Sequence, residues 1–332
     1  MDQQAIREDL AQKLDRLKAS GFEALALEVF HYQARHNSVY AEYIALLGLE
    51  PDRIQRLDQV PFLPIQLFKT HRIQTGEWTP GRQFTSSGTT GETTSRHLLR
   101  DDHWYQVNCE RCFSSFYGPV DSFCFLALLP AYLEREGSSL VYMADHFIKR
   151  SAFLQSGFFL YDWNNLTRVL AECQSRKIPT VLLGVSFALL DLAEKFPISI
   201  PDILIMETGG MKGRRRELTR EELHARLQEA FGVPAIHSEY GMTELFSQAY
   251  SQGEGRYRPG PLLRVFAREI TDPLSPQQSG RLGVLNLIDL ANLDTCSFIA
   301  TDDLGKVYPD GSFEVLGRLD NSDIRGCNLL VA

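Results

Sequence analysis

Between residues 120 and 238 the chain alternates short apolar runs with amphipathic stretches, and no other feature limits the fold as tightly. Ser122 to Leu128, Gly157 to Tyr161, Thr180 to Val185 and Ile203 to Met206 read as buried strands, and Ala235 to Ser238 closes the series. Asp162 is placed to cap a helix over Asn165 to Arg176. Thr219-Arg220-Glu221-Glu222 has the form of a capping box and predicts a helix over Glu221 to Phe231. Strand–helix alternation implies right-handed crossovers and a largely parallel α/β sheet covered on both faces. After residue 255 the helical pattern stops. Leu262 to Ile270, Arg281 to Leu290, Cys296 to Ala300 and Ser312 to Leu316 are strand-like, which predicts a β-rich section, either a small barrel or a mixed sheet. Ahead of the alternation, residues of about 5 to 58 read as helical, with Ile6, Leu10, Leu14 and Leu17 at helical spacing. Pro61 and Pro64 then fix an extended connector through Gln66, and a short strand is expected near Arg72 to Thr75.

Composition narrows the partners. A formal charge of −8 over 332 residues argues against nonspecific nucleic-acid binding. The longest apolar stretch, Phe123 to Leu133, is too short to span a bilayer and contains Pro130, so no integral membrane segment is expected. Met1-Asp2-Gln3-Gln4 leads into a charged amphipathic segment rather than a signal-peptide core. Six cysteines without small-domain spacing read as reduced thiols, and the expected compartment is the cytoplasm.

The run Thr85-Ser86-Ser87-Gly88-Thr89-Thr90-Gly91 carries five hydroxyls and no bulky side chain. Glycine lets successive N–H groups converge on an anion, and the hydroxyls add donors, so the loop suits phosphate. It is not a Walker loop, because Glu92-Thr93 stand where Lys-Ser/Thr is required. By itself the run also reads as a flexible linker.

Three further segments follow in order. They are Glu207-Thr208-Gly209-Gly210, then Glu239-Tyr240-Gly241-Met242-Thr243-Glu244, then Thr301-Asp302-Asp303-Leu304-Gly305 with Gly317-Arg318-Leu319-Asp320. Each alone has a plain structural reading: Tyr240 as packing, Glu244 as a solvated helix start, Asp302 to Gly305 as a hairpin turn, Arg318 and Asp320 as a surface charge pair. Their joint order resembles the adenylate-forming superfamily of acyl-CoA synthetases, luciferases and peptide-synthetase adenylation domains. Within it, Pro61-Phe62-Leu63-Pro64 running into Leu67-Phe68-Lys69, the phrase Ser238 to Leu245, and the ending Asp323-Ile324-Arg325-Gly326-Cys327 resemble the acyl-protein synthetases of bacterial bioluminescence, long-chain-fatty-acid–protein ligases. The likeness covers roughly residues 60 to 332.

The resemblance implies ATP and Mg²⁺ as cofactors and a fatty acid as substrate. Ser86, Ser87, Gly88, Thr89, Thr90 and Gly91 would face the β- and γ-phosphates. Gly209 and Gly210 would pass beside the adenine, and Tyr240 would stack on it. Thr243 would touch the α-phosphate, Glu244 hold Mg²⁺, Asp303 accept the ribose hydroxyls and Arg318 donate to ribose or phosphate. Asp302 stands where the family commonly has glycine, which leaves open which aspartate meets the ribose. The expected organisation is a helical segment over 1–60, an adenylate-forming large domain over 61–320, and a tail over 321–332 carrying Cys327.

Most relatives continue into a mobile small C-terminal domain of about a hundred residues carrying a catalytic lysine. Here that domain is expected to be absent, and Lys69, Lys212 and Arg214 are candidates to replace the lysine. Cys327 matches the family's acylated cysteine by position and type. It would take the acyl group from acyl-AMP as a thioester and pass it to a partner reductase. Two alternatives stay open: direct loading of coenzyme A or a carrier-protein thiol, and a non-catalytic nucleotide-binding protein. Of the remaining signals, Cys109 and Cys112 read as buried helical thiols, the eight histidines show no ligand spacing, and Lys212 to Arg216 reads as a solvated basic loop. Val181 to Leu192, with Phe187, reads as core whose rim, by resemblance, lines an acyl pocket.

Overall fold

The computed structural model describes residues 2–86, 93–129, 137–160, 162–209 and 218–319. Helices α1 (Gln3–Asp15), α2 (Phe22–His36) and α3 (Ser38–Leu46) open the chain. On α2, Phe22, Leu25, Ala26, Val29 and Phe30 recur every three or four residues and are buried. Asn37 caps α3: its side-chain oxygen accepts from the Tyr40 N–H at 3.1 Å, and its amide donates to Thr75 Oγ1 at 3.2 Å and the Thr295 carbonyl at 2.9 Å. The helical reading to about residue 58 ends early. After Leu46, Gly48 turns the chain at φ +69°, and only short 3-10 turns follow at Pro51–Arg53 and Leu57–Gln59.

The proline-bracketed connector forms the short strand β1 (Leu63–Pro64) and then α4 (Leu67–Thr70). No strand forms over Arg72 to Thr75, contrary to expectation. The Thr75 N–H donates to the Asp294 carbonyl at 2.9 Å and its hydroxyl to the Thr295 carbonyl at 2.5 Å, so a loop rather than a neighbouring strand satisfies it. The strand that precedes the hydroxyl–glycine run is β2 (Arg82–Thr85), paired antiparallel with β3 (Arg96–Leu99).

The alternating region follows the expected order: α5 (Asp102–Tyr117), β4 (Cys124–Leu128), α6 (Ser139–Arg150), β5 (Gly157–Phe158), α7 (Trp163–Ser175), β6 (Thr180–Val185), α8 (Ser186–Lys195), β7 (Leu204–Thr208), α9 (Arg220–Phe231) and β8 (His237–Tyr240). Its strands lie parallel in the order β5-β4-β6-β7-β8. Every residue of β4 and β6 is buried, as a parallel sheet covered on both faces requires. Asp162 caps α7 by accepting from the Asn165 N–H, and Thr219 with Glu222 forms the expected capping box on α9.

The β-rich section is a mixed-sheet continuation rather than a barrel. It comprises β9 (Ala249–Ser251), β10 (Tyr257–Pro259), β11 (Leu263–Arg268), β12 (Gly283–Asp289), β13 (Phe298–Val307) and β14 (Phe313–Arg318). These extend β8 antiparallel in the order β9-β10-β14-β13-β12-β11, and β1 joins β13 in parallel, which completes a sheet of twelve described strands. β13 runs straight through Thr301-Asp302-Asp303-Leu304-Gly305, so that segment is strand and not a hairpin turn. Among the described residues no helix is long and apolar enough to cross a membrane.

The N-terminal helices pack on the antiparallel half. Phe30 and Tyr40 meet Phe298 of β13, and the Tyr40 hydroxyl donates to the Pro61 carbonyl at 2.6 Å. Asn37→Ala removes a helix cap and two buried donors together. It is expected to lower the unfolding free energy by about 2–3 kcal/mol in urea titration, with an unchanged m-value.

Candidate functional site

In sheets of this kind ligands bind beyond the carboxyl ends of the parallel strands. Here β6, β7 and β8 end at Val185, Thr208 and Tyr240. β7 runs out into Gly209, whose φ of +72° lies in the left-handed region that glycine enters without strain. The Ser186 hydroxyl, at the start of α8, sits between Glu207 Oε1, at 2.7 Å, and the Gly209 carbonyl.

Asp303 is the centre of the arrangement. It is buried on β13 and accepts from the Tyr240 hydroxyl at 2.7 Å through Oδ2 and from Arg318 Nε at 3.0 Å through Oδ1. Asp303 and Arg318 are register partners across β13 and β14, which is why residues fifteen apart in sequence meet. The Arg318 side chain stays 75% exposed, so its guanidinium borders solvent while the carboxylate does not. The Tyr240 ring packs edge-on against Tyr257 and Phe313, with centroids 5.9 and 5.5 Å away. Burial and the adjoining Asp303 carboxylate push the Tyr240 phenol far above its ordinary range, which keeps it a donor.

Neighbouring residues on a strand point to opposite faces. Asp302 accordingly turns away: Gln66 Nε2, on the connector ahead of α4, lies 2.6 and 2.7 Å from its two carboxylate oxygens. Asp303, and not Asp302, therefore meets Tyr240 and Arg318.

Glu244 completes the cluster. Burial pushes its carboxyl up, while a hydrogen bond from Ser95 and the charge of Arg318 draw it partly back. Ser95 also closes the base of the hydroxyl–glycine run. Its N–H donates to Ser86 Oγ at 2.9 Å, and the Ser86 N–H donates to its carbonyl at 3.1 Å. Hydrogen bonds link Tyr240, Asp303 and Arg318 on one side and Glu244, Ser95 and Ser86 on the other, and the charge of Arg318 acts on Glu244 between them.

Three residues that sequence reasoning missed hold this set in place. His97 on β3 bonds to the Thr243 carbonyl through Nδ1 at 2.8 Å, and its Nε2 lies 2.8 Å from Thr295 Oγ1. A carbonyl only accepts, so Nδ1 carries the proton and Nε2 accepts from the threonine. Asp289, fully buried, accepts from the N–H groups of Phe246, Ser247 and Ala291 and from the Ser247 hydroxyl, at 2.6–3.1 Å. Asn292 donates to the Glu244 carbonyl at 2.8 Å. The signal in the sequence is the carboxylate Asp289 and the amide Asn292 following the mostly apolar strand segment Val284 to Ile288.

Ser86, Tyr240, Thr243, Glu244, Asp303 and Arg318 are thus brought to neighbouring strand ends, with Gly209 just past the end of β7. Ser87, Gly88, Thr89, Thr90, Gly91, Gly210, Cys327, Lys212 and Arg214 lie outside the described residues. Lys69 is exposed at the end of α4, next to Phe68, whose ring meets His97 edge-on at 5.6 Å. Cys109 and Cys112 are buried on α5 as expected, and burial pushes the Cys112 thiol up to about 12. Among the described residues no group of three or more His, Cys, Asp or Glu side chains could hold a metal unaided.

Burial depresses the His97 imidazole to about 4, so the folded protein keeps it neutral while the unfolded chain protonates it near pH 6.5. The stability it contributes is fully present above pH 6.5 and is lost as pH falls towards 4. His97→Asn retains a donor for the Thr243 carbonyl without the titration. Its thermal midpoint is expected to fall less steeply than the wild type's between pH 6.5 and 4, with His224, also held near 4, and His237, also depressed by burial, contributing to the remaining slope.

No family model matches the chain. It is 22% identical over 352 aligned positions to the long-chain-fatty-acid–luciferin-component ligase of Aliivibrio fischeri, covering 93% of this chain and 87% of that one. Among solved structures, 2-hydroxyisobutyryl-CoA ligase in its postadenylation state with 2-HIB-AMP superposes with a TM-score of 0.66 at 13% identity, over 92% of this chain and 69% of that one. ATP-bound MatB from Rhodopseudomonas palustris gives 0.53 at 17% identity, over 71% of this chain. The chain spans only 47% of the MatB chain's length. The chain thus shares its fold with the large N-terminal part of 2-hydroxyisobutyryl-CoA ligase and MatB, and in sequence it is similar to a long-chain-fatty-acid–luciferin-component ligase.

Proposed function

We propose that the chain is an ATP-dependent acyl ligase that activates a fatty acid as acyl-AMP and passes the acyl group to a protein thiol. The observation that carries this reading is the convergence of Tyr240, Asp303, Arg318, Glu244 and the base of the Ser86 loop at the parallel strand ends. The name of the A. fischeri relative supports a long-chain fatty acid as substrate, and the ATP-bound and 2-HIB-AMP-bound neighbours are in keeping with adenylation.

Asp303 accepts the ribose hydroxyls with the lone pairs that Tyr240 and Arg318 leave open, and its burial makes each such bond count. Gly209 brings bare backbone to the base. Thr243, its carbonyl fixed by His97, presents its hydroxyl to the α-phosphate, and Arg318 neutralises charge growing on the phosphate oxygens. Lys69, Lys212 and Arg214 remain candidates for the lysine of the small domain. Glu244 fits a magnesium site. Its buried carboxyl is held above its ordinary range, and a hard cation beside it would favour the charged form. When bound, magnesium screens the triphosphate charge.

In the first step a carboxylate oxygen forms a bond to Pα and the Pα–O bond to pyrophosphate breaks. In the second, the Cys327 thiolate attacks the acyl carbon and AMP leaves with the C–O electron pair. A reductase then consumes the thioester.

Pyrophosphate exchange dependent on a long-chain fatty acid and Mg²⁺ tests the first step. Asp303→Asn is expected to raise KM for ATP about tenfold, and Glu244→Gln to lower kcat by about 10²-fold. Cys327→Ser is expected to keep exchange and lose the hydroxylamine-sensitive acyl label. Undiminished labelling overturns the cysteine's role, rapid transfer to added coenzyme A moves the acceptor to a soluble thiol, and no exchange with any carboxylic acid overturns the ligase.

A further inference from the structure

Glu239 lies one residue before Tyr240 and has no part in the chemistry above, yet it is almost wholly buried, at 7% exposure. A carboxyl in such a place costs free energy that an apolar side chain of the same volume would not. Its two oxygens show what the cost secures. Oε2 accepts from the Thr208 hydroxyl at 2.5 Å, and Thr208 and Glu239 are register partners at the ends of β7 and β8. Oε1 lies where any side chain at position 241 would go: a Cβ on Gly241 would stand 2.5 Å from it. The carboxyl thus ties the residue before Gly209 to the turn after Tyr240. On the other face of β7, Glu207 joins the Ser186 hydroxyl, which also touches the Gly209 carbonyl, so the exits of β6, β7 and β8 are stitched together from both sides.

We propose that Glu239 is a positioning residue for the nucleotide site, its carboxyl group holding the Gly209 and Tyr240 strand exits at the separation the base and ribose require. This rests on the reading of those strand ends as an ATP site. The titratable groups whose charge acts on it or is acted on by it are Glu207 from β7, Tyr250 from β9, Tyr257 from β10, and Tyr105 and Cys109 from α5. Burial and the Glu207 charge push Glu239 up to about 7, so its charge state changes across neutrality. Tyr250 is its cross-strand partner, and the buried Tyr250 hydroxyl has no hydrogen-bond partner among the described residues, so it is free of the clamp.

Calorimetric titration of the full chain with MgATP, alongside amide hydrogen exchange, provides the test. Thr208→Val removes the donor at nearly constant volume. It is expected to weaken ATP binding about tenfold and to speed exchange at 208–209 and 240–242, with KM for the fatty acid unchanged. Glu239→Gln keeps an acceptor for Thr208 but cannot ionise. It is expected to bind ATP nearly as wild type at pH 6 and to lack the gain in affinity that the wild type shows towards pH 8, where the carboxylate is the stronger acceptor. Tyr250→Phe should match the wild type throughout. Wild-type ATP affinity and wild-type exchange in Thr208→Val overturn the proposal, whether or not Glu239→Gln folds. If the wild type binds no nucleotide, the ATP reading falls. The clamp is then judged by exchange alone, which Thr208→Val must still accelerate at both strand exits.

Discussion

One buried carboxylate, Asp289, holds much of the molecule in register. It has no exposed surface and answers four donors, three of them on the Phe246–Ser247 backbone and side chain that follow Glu244. An unpaired charge at that depth would be prohibitive, so the segment after Glu244 has little freedom to move away. Next to it, Asn292 takes the Glu244 carbonyl. Asn292 and Leu293 in turn offer their carbonyls to the Gln33 amide on α2. The N-terminal helices therefore buttress the very loop that presents Thr243 and Glu244, although they contribute no side chain to the cluster around Asp303.

The site follows from where the sheet changes character. Parallel strands β6, β7 and β8 end together, and the antiparallel strands that follow β8 bring β13 and β14 back to the same edge. Asp303 and Arg318 come from that return, and Tyr240 from the last parallel strand. Their hydrogen bonds bridge the two halves of one sheet.

Buried acids recur here with different duties. Asp303 is buried but paired on each oxygen by a single donor, Glu244 is held above its ordinary range by burial, Glu239 ties two backbone exits, and Asp289 answers four donors. An acid satisfied on every side is structural, whereas one with spare capacity at a strand end is placed to bind.

Local chemistry already determined the strand over Thr180 to Val185, the Asp162 cap and the Thr219–Glu222 capping box. Each depends on residues a few positions apart, where spacing alone carries the physics. Only the tertiary structure decided that Thr301 to Gly305 is strand, that Asp303 rather than Asp302 meets Tyr240, that Thr75 pairs with a loop, and that His97, Asp289 and Glu239 hold the strand ends. Those outcomes rest on partners tens to hundreds of residues away. A buried polar group takes whichever donor the fold brings to it, and that choice is made by packing rather than by the residue's neighbours in the chain.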